Sequence, residues 1–284
     1  MRDLLSAAAA LLDAAGVASP RVDAELLLAF ALGVPQGRLV LAAAPSDAQT
    51  SAFWALVRRR EMREPLQYLL GTAAFRHLSL AVGPGVFIPR PETELLVDAV
   101  LPSIRTIERP VVVDLCAGSG ALGLAIAQEC PAARIIVVEH SGDALVWLRA
   151  NVASLAPDGR VSVLAADITD PAVVEIPALA DVVGRVDAVV ANPPYVPASI
   201  PVDAEVAHDP PDAVFAGPDG LGLMPAVFAV AGQLLHPGGL VVVEHSESHG
   251  PALLDLVRSM GEWFSVFDHV DLAGRDRFVS AVRV

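Results

Sequence analysis

Five short runs of mostly branched apolar residues, VVVDL (111–115), RIIVVE (134–139), VSVLAAD (161–167), DAVVA (187–191) and LVVVEH (240–245), recur along the chain with helical patterns between them. Strands that are apolar at successive positions are buried on both faces, and strands joined through helices run parallel, so this alternation predicts a parallel sheet covered on both sides. The last two runs, FSVFDHV (264–270) and RFVSAVRV (277–284), are separated by only DLAGRD. Six residues cannot hold a crossover helix, and the pair is therefore predicted to close as an antiparallel hairpin.

Ahead of this region, Ala/Leu stripes broken at Gly16, Gly33-Val34-Pro35 and Pro45 predict a small domain of short packed helices over residues 1–72. Within it, Arg58-Arg59-Arg60 and Arg63 read as a solvated helix face. The stretch LLSAAAALL near the start is followed by Asp13 and continuing helical spacing, which predicts a helix and not a signal core. Next, AFRHLSLAV, Gly83-Pro84-Gly85 and VFIPR read as a β-hairpin connecting the domains over 73–90. A helix is expected to begin near Pro91, leaving residues 91–284 as the larger domain.

Composition narrows the partners. The 284 residues are 54% hydrophobic and carry a formal net charge of −14 without a single lysine. Residues 1–80 hold 8 arginines against 7 acids, whereas residues 81–284 hold 11 against 26, a net −15. A body this acidic repels nucleic-acid phosphates, so direct DNA binding is not expected. Cys116 and Cys130 form no Cys-x-x-Cys pattern, which fits a reducing cytoplasm, and no apolar run approaches the length of a bilayer span.

Two motifs carry the chemistry. In DLCAGSGALG (114–123), Gly118, Gly120 and Gly123 satisfy G-x-G-x-x-G between a strand and a helix, and Glu139 ends the next strand, where an acid can hold ribose hydroxyls. By itself this describes a dehydrogenase equally well. The second motif, VVANPPYVP (189–197), ends a buried strand with Asn192, Pro193, Pro194 and Tyr195. Strand termination explains one proline; tandem prolines also make a stiff corner that presents an amide, a carbonyl and a ring in one arrangement. Asp167, after the third strand, reads either as a loop or capping carboxylate or as a ligand. EHSESH (244–249) follows a strand and lacks the H-E-x-x-H helix pattern, so no metal is expected there. The 196–220 segment, rich in Pro and acids, reads as a long functional loop over the substrate entrance.

The D-x-x-x-G-x-G form of the loop and the reversed last strand resemble class I methyltransferases, with a Rossmann-like, mostly parallel seven-stranded sheet. More specifically, RVDAELLLAFALG (21–33), PLQYLLGTAAF (65–75), VFIPRPETELLV (86–97), DLCAGSGALGLAIA (114–127), VVANPPYVP, LVVVEH and DLAGRDRFV (271–279) resemble the peptide chain release factor N5-glutamine methyltransferases, the HemK/PrmC family. The resemblance implies that S-adenosyl-L-methionine, leaving as S-adenosyl-L-homocysteine, is held by Asp114, Cys116, Ala117, Gly118, Ser119, Gly120, Glu139, Asp167, Ile168 and Asn192. It further implies catalysis by Asn192, Pro193 and Tyr195 on the glutamine of a Gly-Gly-Gln loop in a release factor, with Pro194, Phe87 and Arg90 also lining the substrate, and docking of that protein by the helical domain. Cys116-Ala117 stands where the family more often has Gly-Thr, and Asp209-Pro210 where it has Glu-Pro. A nucleic-acid exocyclic-amine methyltransferase is the alternative enzyme, since it uses the same tetrapeptide, but it needs a cationic surface that the −15 region lacks.

Overall fold

The computed structural model describes residues 1–284, which divide into two compact units: residues 1–72 with 202–208, and residues 73–201 with 209–284. No helix is long and apolar enough to cross a membrane.

The first unit is helical. Helix α1 (Arg2–Ala14) buries Leu5, Ala8 and Leu12, one stripe at helical spacing. Helix α2 (Pro20–Leu32) starts with proline in its first turn and stops at Gly33, whose φ of 68° is the left-handed conformation that ends helices. Helix α3 (Asp47–Glu61) opens with a capping box, Ser46 and Gln49 each bonding the other's backbone N–H. A short α4 (Leu66–Leu70) completes the set, and the helices share a core of Leu12, Leu27, Leu28, Phe53 and Val57.

One arginine departs from the solvated face expected of its cluster. Arg60 is buried, donating from Nε to Asp23 Oδ2 at 2.7 Å and from Nη2 to Glu205 Oε1 at 2.7 Å, while Arg63 Nη2 meets the same Glu205 oxygen at 2.8 Å. The reason lies in helical spacing: position 60 continues the stripe of Phe53 and Val57. A buried guanidinium needs paired charge, and Asp23 and Glu205 supply it.

In the second unit, strands β1 (Thr72–Phe75) and β2 (Leu78–Ala81) form a two-stranded sheet. This hairpin is shorter than the sequence predicts, because it turns at Arg76-His77 and VFIPR is not a strand. Arg76, with φ of 50°, is fastened by its own N–H to Glu94 Oε1 at 2.8 Å and by its guanidinium to Glu129 and Asp98. In VFIPR the donors go elsewhere: Val86 N–H closes a turn onto the Gly83 carbonyl, Ile88 N–H reaches Asp209, and Pro89 has none to give.

The main sheet contains β3 (Val111–Leu115), β4 (Arg134–Glu139), β5 (Val161–Ala165), β6 (Val186–Ala191), β7 (Leu235–Glu244), β8 (Trp263–Val270) and β9 (Asp276–Arg283), in the order β5-β4-β3-β6-β7-β9-β8. All pairs among β3 to β7 are parallel; β9 is antiparallel to both β7 and β8, so it alone is reversed. This is the class I methyltransferase arrangement. Helices α5 (Glu94–Ile104), α6 (Ala121–Glu129), α7 (Gly142–Leu155), the short α8 (Pro177–Ala180) and α9 (Pro211–Val214), α10 (Met224–Leu234) and α11 (Gly250–Ser259) complete the unit. Ile135, Ile136, Val137 and Val138 are all fully buried, as the unbroken apolar run requires of a strand covered on both faces.

Candidate active site

The chain runs from β3 outward to β5 and then returns to β6 on the other side of β3, so the sheet order reverses between β3 and β6. Ligands of open α/β sheets bind at the carboxyl ends of strands beside such a reversal. Four polar residues collect there. Asp114 is the penultimate residue of β3, Glu139 the last of β4, Asn192 follows β6, and Glu244 is the last of β7. The register, Leu115 opposite Val138 and Ala191, and Ala191 opposite Val243, keeps these ends level.

Asp114 is buried. Its Oδ2 accepts from Gly123 N at 2.8 Å, whereas Oδ1 has no hydrogen-bond partner. Burial pushes this carboxyl up to about 7, the Gly123 bond opposes the shift, and the Glu139 charge adds to it. A buried acceptor oxygen without a donor is costly by itself and suits a cationic donor. At Gly123 an added Cβ would sit 2.5 Å from Val137 Cγ1 and 3.2 Å from Asp114 Oδ2, so this glycine lets α6 approach the sheet.

Glu139 gathers three backbone donors: Gly118 N at 2.8 Å on Oε2, and His140 N at 2.9 Å and Ser141 N at 2.8 Å on Oε1. Gly118 takes φ of 55°, and a Cβ there would meet nothing within 4 Å, which leaves the loop open on that side. Cys116 adopts a φ of 60°, a conformation that glycine takes without strain and that costs a non-glycine residue about 1 kcal/mol. Its thiol is pushed well above the usual range by burial and by the charges of Glu139 and Asp114, so it stands as a neutral group. Ala117 N bonds to the Val138 carbonyl at 3.0 Å, and the Ser119 carbonyl accepts from Asn151.

Asp167 Oδ1 accepts both the backbone N–H and the hydroxyl of Thr169 at 2.8 Å, which holds its carboxyl below the ordinary value. One oxygen of Asp167 is thus a loop-forming acceptor. Ile168 beside it is buried.

On the other side of the reversal, Asn192 Nδ2 donates to Thr93 Oγ1 at 3.2 Å, and Tyr195 Oη donates to Glu244 Oε1 at 3.0 Å. Pro193 and Pro194 are buried behind the corner, and the chain leaving it is fastened by Val196 N to the Val214 carbonyl at 2.9 Å and Ala216 N to the Val196 carbonyl at 3.0 Å. Arg90 stacks on Phe87, its guanidinium carbon 4.8 Å from the ring centroid, and pairs with the buried Asp209. Asp209 therefore ties the Phe87–Arg90 segment to the end of the long loop, the place where the family more often has Glu-Pro.

Three buried residues of this site escape the motif-based reading: Thr93, Asn151 and Glu244. Thr93 sits within FIPRPETE, and Glu244 is an acid ending an apolar strand, which is the signal the sequence offers for them. Asn151 lies mid-helix in α7 with nothing nearby to mark it. It accepts from Ala81 N at 2.7 Å and donates to the Ala81 carbonyl at 3.0 Å and the Ser119 carbonyl at 2.9 Å, pinning the glycine loop to β2. Asn151→Ala leaves these backbone groups unpaired and is expected to lower stability by about 2–3 kcal/mol, read as a lower urea midpoint at unchanged m.

The PrmC N-terminal domain family matches residues 3–71, and the Methyltransferase small domain family matches residues 81–209. Over its full length the chain is 46% identical to the release factor glutamine methyltransferase of Mycolicibacterium smegmatis, covering 98% of that protein. It is 44% identical to the protein of the same name from Streptomyces coelicolor, over 94% of this chain and 92% of that one, and 40% identical to that of Bifidobacterium longum, over 99% and 98%.

Proposed function

Since this chain belongs to the family of release factor glutamine methyltransferases, we propose that it methylates the side-chain amide nitrogen of the glutamine in the Gly-Gly-Gln loop of a peptide chain release factor, with S-adenosyl-L-methionine as donor. The observation that carries this reading is the strand-edge corner of Asn192 and Pro193. The only hydrogen bond of the Asn192 side chain is made by its Nδ2, and neither its Oδ1 nor the Pro193 carbonyl accepts one from the chain. Two acceptors on a stiff corner match the two N–H groups of a primary amide.

An amide nitrogen is a poor nucleophile because its lone pair is shared with the carbonyl. Acceptors at both N–H positions return density to nitrogen and hold it in line for attack, while Tyr195 packs on the amide plane and Pro194 keeps the corner rigid. When bound, S-adenosylmethionine supplies an electrophilic methyl on a cationic sulfur that departs as the neutral thioether of S-adenosylhomocysteine. Asp114, with its partnerless buried oxygen, would hold the donor's ammonium; Glu139 would take ribose hydroxyls; Asp167 and Ile168 would flank the adenine; and Cys116 to Gly120 would form the cradle. Since the amide proton can leave after methyl transfer, the chain need not provide a strong base. Phe87 and Arg90 are assigned to the walls beside the target glutamine.

Docking of the release factor is assigned to the helical unit, which exposes Phe30, Val40, Leu41 and Met62 as apolar side chains a protein partner could cover.

The test is incubation of the full chain with methyl-labelled donor and either purified release factor or nucleic acid, followed by mass spectrometry of the Gly-Gly-Gln peptide. One added methylene on that glutamine is expected. Label in nucleic acid alone would replace the reading with an exocyclic-amine methyltransferase.

A further inference from the structure

The loop that leaves the Asn-Pro-Pro-Tyr corner makes an excursion. Residues 202–208 group with the helices of the first unit, whereas residues 201 and 209 on either side of them group with the sheet. Both ends are fastened in the second unit. Ala198 N–H reaches the Gly217 carbonyl at 2.9 Å, and the buried Asp209 pairs with Arg90 and accepts from Ile88 N–H. Between them the backbone bonds of the excursion turn inward, Ala207 N to the Asp203 carbonyl and His208 N to the Glu205 carbonyl, so its polar hold on the helices falls to side chains.

Glu205 supplies that hold. Its Oε1 accepts from Arg60 Nη2 at 2.7 Å and from Arg63 Nε and Nη2 at 3.3 and 2.8 Å. Arg60, on α3, is shared with Asp23 of α2, and Arg63 also donates to the carbonyls of Ala15 and Gly16 at the end of α1. One loop carboxylate is thus linked to three helices. Arg63 sits at a φ of 64°, a left-handed conformation that costs a residue with a Cβ about 1 kcal/mol. Burial pushes the Glu205 carboxyl up, but the bonds and charges of Arg60 and Arg63 more than offset it and hold the group below its ordinary value, so it stands ionised. Desolvation offsets most of the attraction in a buried ion pair, so added stability is a poor reason for this one.

We infer that Glu205 is a positioning residue for the protein substrate: clasped by Arg60 and Arg63, it holds the loop beyond the catalytic corner on the helical unit, so that the release factor meets a loop already set in place. The inference rests on the methyl-transfer reading above and on the docking role assigned to the helices. A loop free at its tip would have to be ordered each time a release factor binds, and that ordering is subtracted from affinity. The Glu205 side chain bonds to the two arginines and not to Asn192 or Pro193, so the chemical step in the bound complex should change little.

The experiment compares Glu205→Ala and Glu205→Gln with wild type in the full chain. Asp23 stays beside Arg60 in both variants, so the buried guanidinium keeps a charged partner. Glu205→Ala is expected to raise KM for intact release factor roughly tenfold with kcat within about threefold, while calorimetric affinity for S-adenosylmethionine and the urea midpoint stay nearly unchanged. Glu205→Gln, which keeps the shape and one acceptor oxygen, should lie between. Amide hydrogen exchange over residues 202–208 should quicken in Glu205→Ala while exchange in α1 to α3 stays as in wild type. A normal KM, a loss confined to kcat, or a loss that tracks a lowered urea midpoint would overturn the inference, as would unchanged exchange in the loop. A wild type that leaves the release factor glutamine unmodified would instead sink the functional reading, and the exchange measurement, which needs no turnover, still decides whether Glu205 is the clasp.

Discussion

Asn192→Ala is expected to lower turnover roughly a hundredfold or more while leaving affinity for S-adenosylmethionine within about threefold. The variant removes one of two acceptors at the amide N–H positions, so the nitrogen keeps its lone pair in the carbonyl and loses its alignment. The donor contacts assigned to Asp114 and Glu139 on β3 and β4 remain. The expected signature is therefore a fall in kcat with little change in donor binding, measured by steady-state methylation of release factor and by calorimetry. Near-normal turnover would remove Asn192 from the chemistry.

Asp114→Asn is expected to weaken donor binding by about a hundredfold or more, the cost of removing the anionic partner of a buried ion pair. The same substitution should stabilise the donor-free protein at neutral and higher pH. Asp114 titrates at 3.8 when unperturbed and at about 7 in the fold, with Glu139 as the charged group facing it. Between those values the folded state retains a proton that the unfolded state has released, so stability falls as pH rises from about 4 to about 7 and is then level. The amide of the variant cannot ionise and escapes this loss, which a shift of that size puts at a few kcal/mol. The melting temperature of the variant relative to wild type should thus climb across that window. Glu244, pushed to a similar value, is present in both proteins and cancels in the difference. A difference independent of pH would show that Asp114 is not a strained carboxylate.

The motifs make much of the candidate site legible: Asp114, the glycines, Glu139 and the Asn-Pro-Pro-Tyr corner all stand at one sheet edge, as strand-then-loop spacing predicts. Residues whose role depends on partners distant in sequence are less visible. Arg60 reads as one of four surface arginines, yet its helix stripe and the carboxylates of Asp23 and Glu205, 37 and 145 residues away, bury it. VFIPR has the composition of a strand, but its donors find a turn carbonyl and Asp209 before any ladder.

The sheet, its single reversed strand and the stiff corner after β6 are all written in the chain itself, because periodicity, the six-residue limit on a crossover and the fixed geometry of proline are local properties. Folding had to be complete before Thr93, Glu244 and Asn151 could stand behind that corner and the glycine loop. Those hydrogen-bond partners come from elements far apart in the chain, and they meet only once the strands lie side by side.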